Sequence, residues 1–237
     1  MKKEIEILST RPLDFELVNS AKANDIAITS IEFIKTIPLE SNLITEEIDK
    51  FSKLNIAVIF TSANAVKAVF SKIESTPNWT FYCISGKTME ELVKYVPSST
   101  ILDTAENGAL LAEKIIAHNY IKECLFFCGD KRMNTMPTSL LNKGIQLTEL
   151  VVYQTVLTPQ KLKRSFDGIL FFSPTAVNSF FSLNNVSEKT ALFSIGETTT
   201  KALKEFSKNE IITSTFPSAK QLINLVKQHY FKNQLSD

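Results

Sequence analysis

No stretch of this 237-residue chain approaches the ~20 apolar residues that a bilayer-spanning helix requires, so no membrane contact is expected. Charge of one sign is lacking too. Lys and Arg number 26 against 25 Asp and Glu, a formal net charge of +1, which argues against the global basic field of a nucleic-acid binder and leaves room only for a local basic cleft. Cys83, Cys124 and Cys128 are an odd number without framework spacing, each in or beside an apolar run, as reduced cytosolic core thiols are. Cys124 and Cys128 are four apart on an expected strand, hence on one face, and read as core. His118 and His229 are the only histidines; with no acidic or thiol cluster near them in sequence they make no metal site. Low-complexity segments are absent. Residues 1–8 carry charges but no long apolar region, and read as a first strand rather than a signal peptide.

What is present is ordinary for a globular protein: 44% hydrophobic and 22% charged residues. The length suits two domains of roughly 100–120 residues, each large enough for its own core. Short apolar runs predict strands near residues 4–8, 26–34, 56–60, 80–84, 123–128, 146–153, 168–172, 190–195 and 210–213. Helical periodicity predicts helices over 13–23, 63–73, 88–95, 109–118, 138–142, 176–183, 199–206 and 219–230. Strands alternating with helices imply an α/β fold with mainly parallel sheets flanked by helices.

The spacing also contains a duplication. Phe60-Thr61-Ser62-Ala63-Asn64-Ala65-Val66 returns as Phe172-Ser173-Pro174-Thr175-Ala176-Val177. Ser62 to Ser173 is 111 positions, Gly86 to Gly196 is 110, and Leu111 to Leu222 is 111. Thr10 to Gly129 and Thr36 to Thr155 are both 119. Ordered blocks at nearly constant offset indicate two similar lobes. His118 and His229 share the 111 offset, which puts them at equivalent helix C-termini, where an imidazolium complements the dipole. Residues 36–38 and 155–157, close to Pro38 and Pro159, are expected to be linkers.

Where a parallel strand gives way to a helix, free backbone N–H groups and the positive end of the helix dipole favour anions. Small or hydroxylic residues mark six such junctions: Ser9-Thr10-Arg11, Thr61-Ser62, Ser85-Gly86-Lys87, Gly129, Ser173-Pro174-Thr175, and Gly196 to Thr200. Any one of these is explained by helix capping alone. Repeated through a duplicated chain, they suit a ligand bearing several carboxylates or phosphates. Pro174 has no N–H, so its junction offers one amide fewer.

These junctions, in this order, resemble the uroporphyrinogen-III synthase family. The resemblance rests on Ser9-Thr10-Arg11-Pro12, residues 60–66, Ile84-Ser85-Gly86-Lys87-Thr88, a block from Gly129 to Val152-Tyr153-Gln154-Thr155, residues 172–177, and Ser194-Ile195-Gly196-Glu197-Thr198-Thr199. It covers nearly the whole chain. It implies a first lobe of residues 1–35 plus 158–237, discontinuous in sequence, and a second lobe of 39–154, with hinge motion about the two crossings. It also implies cyclisation of hydroxymethylbilane, an open-chain tetrapyrrole with eight carboxylates, to uroporphyrinogen III, with loss of water and inversion of ring D, without metal or cofactor. Tyr153 matches the tyrosine assigned near the family's catalytic centre, where a phenol would donate a proton or hydrogen bond to the departing hydroxyl. Thr10, Arg11, Thr61, Ser62, Asn64, Ser85, Gly86, Lys87, Gly129, Ser173, Thr175, Gly196, Thr198 and Thr199 are the expected substrate-binding residues, with Arg132 a weaker partner for a carboxylate. The expected protein is a cytoplasmic monomer, without nucleic-acid or membrane partners, that meets hydroxymethylbilane synthase transiently. A non-catalytic two-lobed small-molecule binding or sensor protein is the alternative, because most of these motifs are main-chain binding features.

Overall fold

The computed structural model describes residues 4–231; residues 1–3 of the expected first strand lie outside the described residues. Residues up to 35 together with those from 156 onward form one unit, and residues 36–155 form the other. The first unit opens with β1 (Ile5–Ser9), α1 (Phe15–Lys22) and β2 (Ile26–Ser30). Then follow β3 (Ile34–Pro38), α2 (Asn42–Ser52), β4 (Ala57–Phe60), α3 (Ala63–Phe70), β5 (Thr80–Ile84), α4 (Lys87–Leu92), β6 (Ile101–Ala105), α5 (Gly108–Ala117), β7 (Glu123–Gly129), α6 (Thr135–Asn142) and β8 (Gln146–Leu157). The chain returns to the first unit for β9 (Gly168–Phe171), α7 (Pro174–Phe181), β10 (Ala191–Ser194), α8 (Glu197–Phe206), β11 (Ile211–Thr213) and α9 (Ala219–Phe231).

The two sheets share one plan. The five-stranded sheet runs β11-β10-β9-β1-β2, and the six-stranded sheet runs β6-β5-β4-β7-β8 with β3 added at its edge. Registered pairs of both sheets are parallel, as β1 with β9 and β4 with β7. Every residue of β4, β9 and β10 is buried, because helices cover both faces of a parallel sheet and leave no polar side to the strand. Each sheet therefore separates two cores. In the 36–155 unit, one holds Val58, Phe60, Phe81 and Phe127, the other Ile59, Tyr82, Phe126 and both Cys124 and Cys128.

Equivalent serines start equivalent helices: Ser62 Oγ accepts the Asn64 N–H at 3.2 Å, and Ser173 Oγ accepts the Ala176 N–H at 3.1 Å. Leu111 and Leu222 are both fully buried on α5 and α9. His118 caps the C-terminus of α5, and His229 lies in the last turn of α9. In both sheets the strand order reverses at one place, between β1 and β9 and between β4 and β7. That reversal opens a crevice at the carboxyl ends of the strands.

Four expectations need correction. The segments read as linkers are strands: Lys35–Pro38 belongs to β3, and residues 155–157 are the end of β8. Being short, mostly exposed and ended by a proline, β3 has the composition of an edge strand and reads in sequence as a connection. The strand expected over 26–34 stops at Ser30, and β3 begins separately at Ile34. Helix α2 is additional to the expected helices, although Ile44, Ile48 and Phe51, at i, i+4 and i+7, pack against the core. Strand β6 is additional to the expected strands, because Asp103 and Thr104 interrupt its apolar run.

Candidate functional site

In the 36–155 unit the crevice at the strand reversal is built by the ends of β4 and β7. Strand β4 delivers Thr61 and Ser62 to the N-terminus of α3. Strand β7 ends at Gly129, which lies opposite Tyr153 of β8 after a register shift that follows Cys128. The Tyr153 ring rests directly on Gly129: a Cβ at that position would sit 2.4 Å from Tyr153 Cζ and 2.7 Å from its hydroxyl oxygen. Only glycine leaves room for the ring there. Ser62 lies with Tyr153 in the lining of the cavity at this end of the strands. Burial raises the phenol above its ordinary pKa, and the nearby Ser62 side chain opposes that rise in part.

Around this phenol lies a cavity of about 440 Å³ lined by Thr61, Ser62, Ile84, Asn107, Gly108, Phe126, Gly129, Lys131, Arg132, Met133, Thr135, Met136 and Tyr153, with Ala109. The helices α3, α5 and α6 all begin at its wall. Asn107 Oδ1 accepts the Leu110 N–H at 3.0 Å and so starts α5, and Thr135 is the first residue of α6. Three N-terminal dipole ends thus border a cavity with an apolar lining of Ile84, Phe126 and two methionines.

The cations at the cavity are held by neighbours. Arg132 Nε contacts the Glu149 carboxylate, and its Nη1 donates to Asn134 Oδ1. Lys131 Nζ is 3.7 Å from Asp130, whose Oδ1 accepts the Thr155 N–H at 2.8 Å. Arg132 is thereby fixed, whereas Lys131 is exposed on its rim. An oriented guanidinium suits a planar carboxylate better than a flexible ammonium does.

Of the residues anticipated from sequence, the cavity brings together Thr61, Ser62, Gly129, Tyr153 and Arg132. Asn64 sits in the first turn of α3 with its N–H occupied by Ser62. Ser85, Gly86 and Lys87 lie at the end of β5, outside the lining. Ser85 Oγ donates to the Ala105 carbonyl at 3.0 Å, and Gly86 adopts the left-handed φ of 74° at the start of the six-residue α4.

The other unit carries the equivalent junctions at β1, β9 and β10. Thr10 is buried, its hydroxyl donating to the Leu170 carbonyl at 2.8 Å, so it ties β1 to β9. The Arg11 guanidinium lies 4.1 Å from the Phe172 ring centroid. Ser173 caps α7 with Thr175 in its first turn, and Gly196 precedes α8, where Thr198 is exposed and Thr199 buried.

Asn107, Gly108, Lys131, Met133, Thr135 and Met136 line the cavity without being among the residues anticipated from sequence. Asn107, close before the run that reads as helix, is a legible cap; Thr135 is hidden by Pro137, which pushes the expected start of α6 to Thr138.

A family model described as uroporphyrinogen-III synthase HemD matches residues 16–224. The chain belongs to the uroporphyrinogen-III synthase family. It is 27% identical over 150 residues to the uroporphyrinogen-III synthase of Saccharomyces cerevisiae, a stretch that is 53% of this chain and 54% of the yeast protein. The chain thus spans about half the length of that curated relative. Its fold is similar to uroporphyrinogen-III synthetase from Helicobacter pylori, with a TM-score of 0.68 at 20% identity, covering 95% of this chain and 99% of that one. A mutant uroporphyrinogen III synthase from Thermus thermophilus gives a TM-score of 0.57 at 11% identity over 97% of this chain and all of that chain (100%). In this member of the uroporphyrinogen-III synthase family, no helix among the described residues is long and apolar enough to cross a membrane.

Proposed function

We propose that this chain is a uroporphyrinogen-III synthase, a cyclising hydro-lyase that converts hydroxymethylbilane to uroporphyrinogen III in haem biosynthesis. The observation that carries the reading is the seat of Tyr153, a protonated phenol resting on Gly129 in a cavity that Ser62 also lines and that three helix N-termini border. The cavity lies within the ~300–1,000 Å³ of small-molecule sites and takes a segment of the tetrapyrrole. Its apolar lining suits pyrrole rings. The N-termini of α3, α5 and α6 and the anchored Arg132 suit the carboxylates on those rings.

The chemistry follows from the substrate. Pyrrole nitrogen lone pairs push out the terminal hydroxyl, which leaves as water when the Tyr153 O–H gives it a proton. The azafulvene so formed meets the substituted carbon of ring D, giving a spiro intermediate whose fragmentation and reclosure invert that ring. Cyclisation without such steering gives the uninverted isomer, so holding the chain in one conformation is the larger part of the task. A raised phenol pKa keeps Tyr153 protonated through neutral pH, the state this role needs.

The junction residues of the other unit, Arg11, Ser173, Thr175, Gly196, Thr198 and Thr199, are assigned as a second carboxylate-binding edge. Thr10 supports that edge through β9, and Ser85, Gly86, Lys87 and Asn64 act at the periphery of the 36–155 unit. The protein works as a cytoplasmic monomer on the product of hydroxymethylbilane synthase and needs neither metal nor organic cofactor. A non-catalytic binding or sensor module is disfavoured by the family match and has no use for a seated phenol. Incubation with freshly made hydroxymethylbilane, with chromatographic separation of isomers, tests the reading: type III product supports it, and type I alone at the rate of buffer opposes it.

A further inference from the structure

A second cavity, of about 330 Å³, lies in the unit that holds β9 and β10. One wall is residues 161–166, which lead into β9, and the other is residues 184–187 with Thr190, which lead into β10. The cavity therefore sits at the amino ends of the two strands whose carboxyl ends carry Ser173 and Gly196. Strands of four residues, rising ~3.3 Å per residue, keep those two ends about 13 Å apart. Buried polar side chains fix both walls. Asn184 Nδ2 donates to the Gln160 and Phe180 carbonyls at 2.7 and 2.9 Å, and its Oδ1 accepts the Leu162 N–H at 2.8 Å. Thr190 Oγ1 donates to the Phe166 carbonyl at 2.9 Å and so joins one wall to the other. Pinned in this way, the cavity is formed before a ligand arrives.

Its floor is apolar and its rim is cationic. Phe166, Ile169 and Phe180 are buried beneath it, and no Asp or Glu is among the described residues that line it. Arg164 is already engaged, with Nη1 3.1 Å from the Glu6 carboxylate and Nη2 donating to Thr29 Oγ1 at 2.8 Å. Lys161 Nζ donates to the Leu183 carbonyl at 2.7 Å, which leaves its charge without a counter-ion. The Lys163 ammonium has no hydrogen-bond or ion-pair partner among the described residues. Two uncompensated ammonium groups beside buried aromatic rings select an anion whose remaining surface is flat and apolar. We propose that this cavity is a binding site for a small aromatic anion, its ring on Phe166 and Phe180 and its phosphate or carboxylate between Lys161 and Lys163. A phosphate brings more charge to the two ammonium groups than a carboxylate, so an aryl phosphate binds the more tightly. The site shares no residue with the Tyr153 cavity and does not depend on the synthase reading.

The test is an amide NMR titration of the full chain with 1-naphthyl phosphate, which follows each site separately and needs no turnover. The Ser165, Asn185 and Ser187 signals are expected to shift together and saturate with a Kd on the order of 1 mM, ordinary for a ligand of so few atoms. At these same signals 1-naphthoate binds more weakly, and inorganic phosphate and 1-naphthol, each carrying half of the chemistry, at least about ten-fold more weakly. Lys163→Glu, an exposed change that breaks no contact, weakens 1-naphthyl phosphate at these signals by about ten-fold or more, the loss of one charge-assisted contact. Saturable shifts confined to other parts of the chain overturn the site. Inorganic phosphate binding there as tightly as 1-naphthyl phosphate overturns the aromatic ligand, and an unchanged Kd in Lys163→Glu overturns the role of the lysines.

Discussion

The ring of Tyr153 occupies the space a side chain at Gly129 would fill: a Cβ there would lie 2.4 Å from Tyr153 Cζ. The clash is with a ring wedged in a core, not with a flexible chain end. Gly129→Ala therefore displaces the phenol, with a stability loss of about 1–3 kcal/mol typical of overpacking. Its kcat is expected to fall to that of Tyr153→Phe, and the double variant should be no slower than either. Additive losses in kcat would show that Gly129 acts independently of the tyrosine.

Tyr153→Phe removes one oxygen and leaves the ring on Gly129. The rate of hydroxymethylbilane consumption should drop by roughly 10²-fold or more, the range for loss of a general acid. Affinity for uroporphyrinogen III, measured by equilibrium binding, should stay within about two-fold, since the ring contacts persist. Full activity in this variant would reduce Tyr153 to packing.

The sequence shows some of this site and conceals the rest for physical reasons. Ser62 and Ser173 are legible because an apolar strand that breaks into a hydroxyl before a helical run is a local signal, and the duplication repeats it. Tyr153 is legible through family resemblance, but nothing local reveals that its ring meets Gly129, since the contact depends on the register shift after Cys128. Asn107 and Thr135 reach the cavity through the sheet order, which brings the starts of α5 and α6, on the face of the sheet opposite α3, to the same end of the strands as the start of α3. The strands β3 and β6 lie at sheet edges, and edge strands carry polar residues that blur their periodicity. Central strands such as β4, wholly apolar, are legible to within one residue at their start.

Burial pushes the thiols of Cys83 and Cys128 up to about 11 and that of Cys124 up to about 12. In the unfolded chain a thiol titrates near ~8.5. A folded-state pKa raised above the unfolded one contributes stability that is fully present below the unfolded value and is lost as pH rises towards the folded one. The raised phenols Tyr82 and Tyr230 act with the same sign at higher pH. Urea midpoints under reducing conditions should thus be flat from neutrality to about pH 8 and fall between about pH 9 and 11, without an equivalent loss in a Cys83→Ala, Cys124→Ala, Cys128→Ala chain compared with its own neutral value. An equally steep decline in that chain would assign the alkaline loss elsewhere.

Arg132 and Glu149 each keep about a quarter of their side-chain surface, at 26%. Arg132→Met leaves Glu149 without its cation, at a cost of about 1–2 kcal/mol, between exposed and fully buried pairs. Its KM should rise several-fold with kcat less affected, because a carboxylate contact is lost from bound substrate and transition state alike. Glu149→Gln should raise KM less, since the guanidinium remains. An unchanged KM in Arg132→Met would make the pair structural.

The central claim is that the Tyr153 cavity steers ring D inversion. The most direct measurement is the isomer ratio formed from freshly prepared hydroxymethylbilane by wild-type protein and by Tyr153→Phe, in buffer containing a chelator and no added cofactor. The account predicts mainly type III from wild type, and from the variant a slower reaction in which spontaneous type I becomes the larger share. Type I alone from wild-type protein, formed no faster than in buffer, would contradict it.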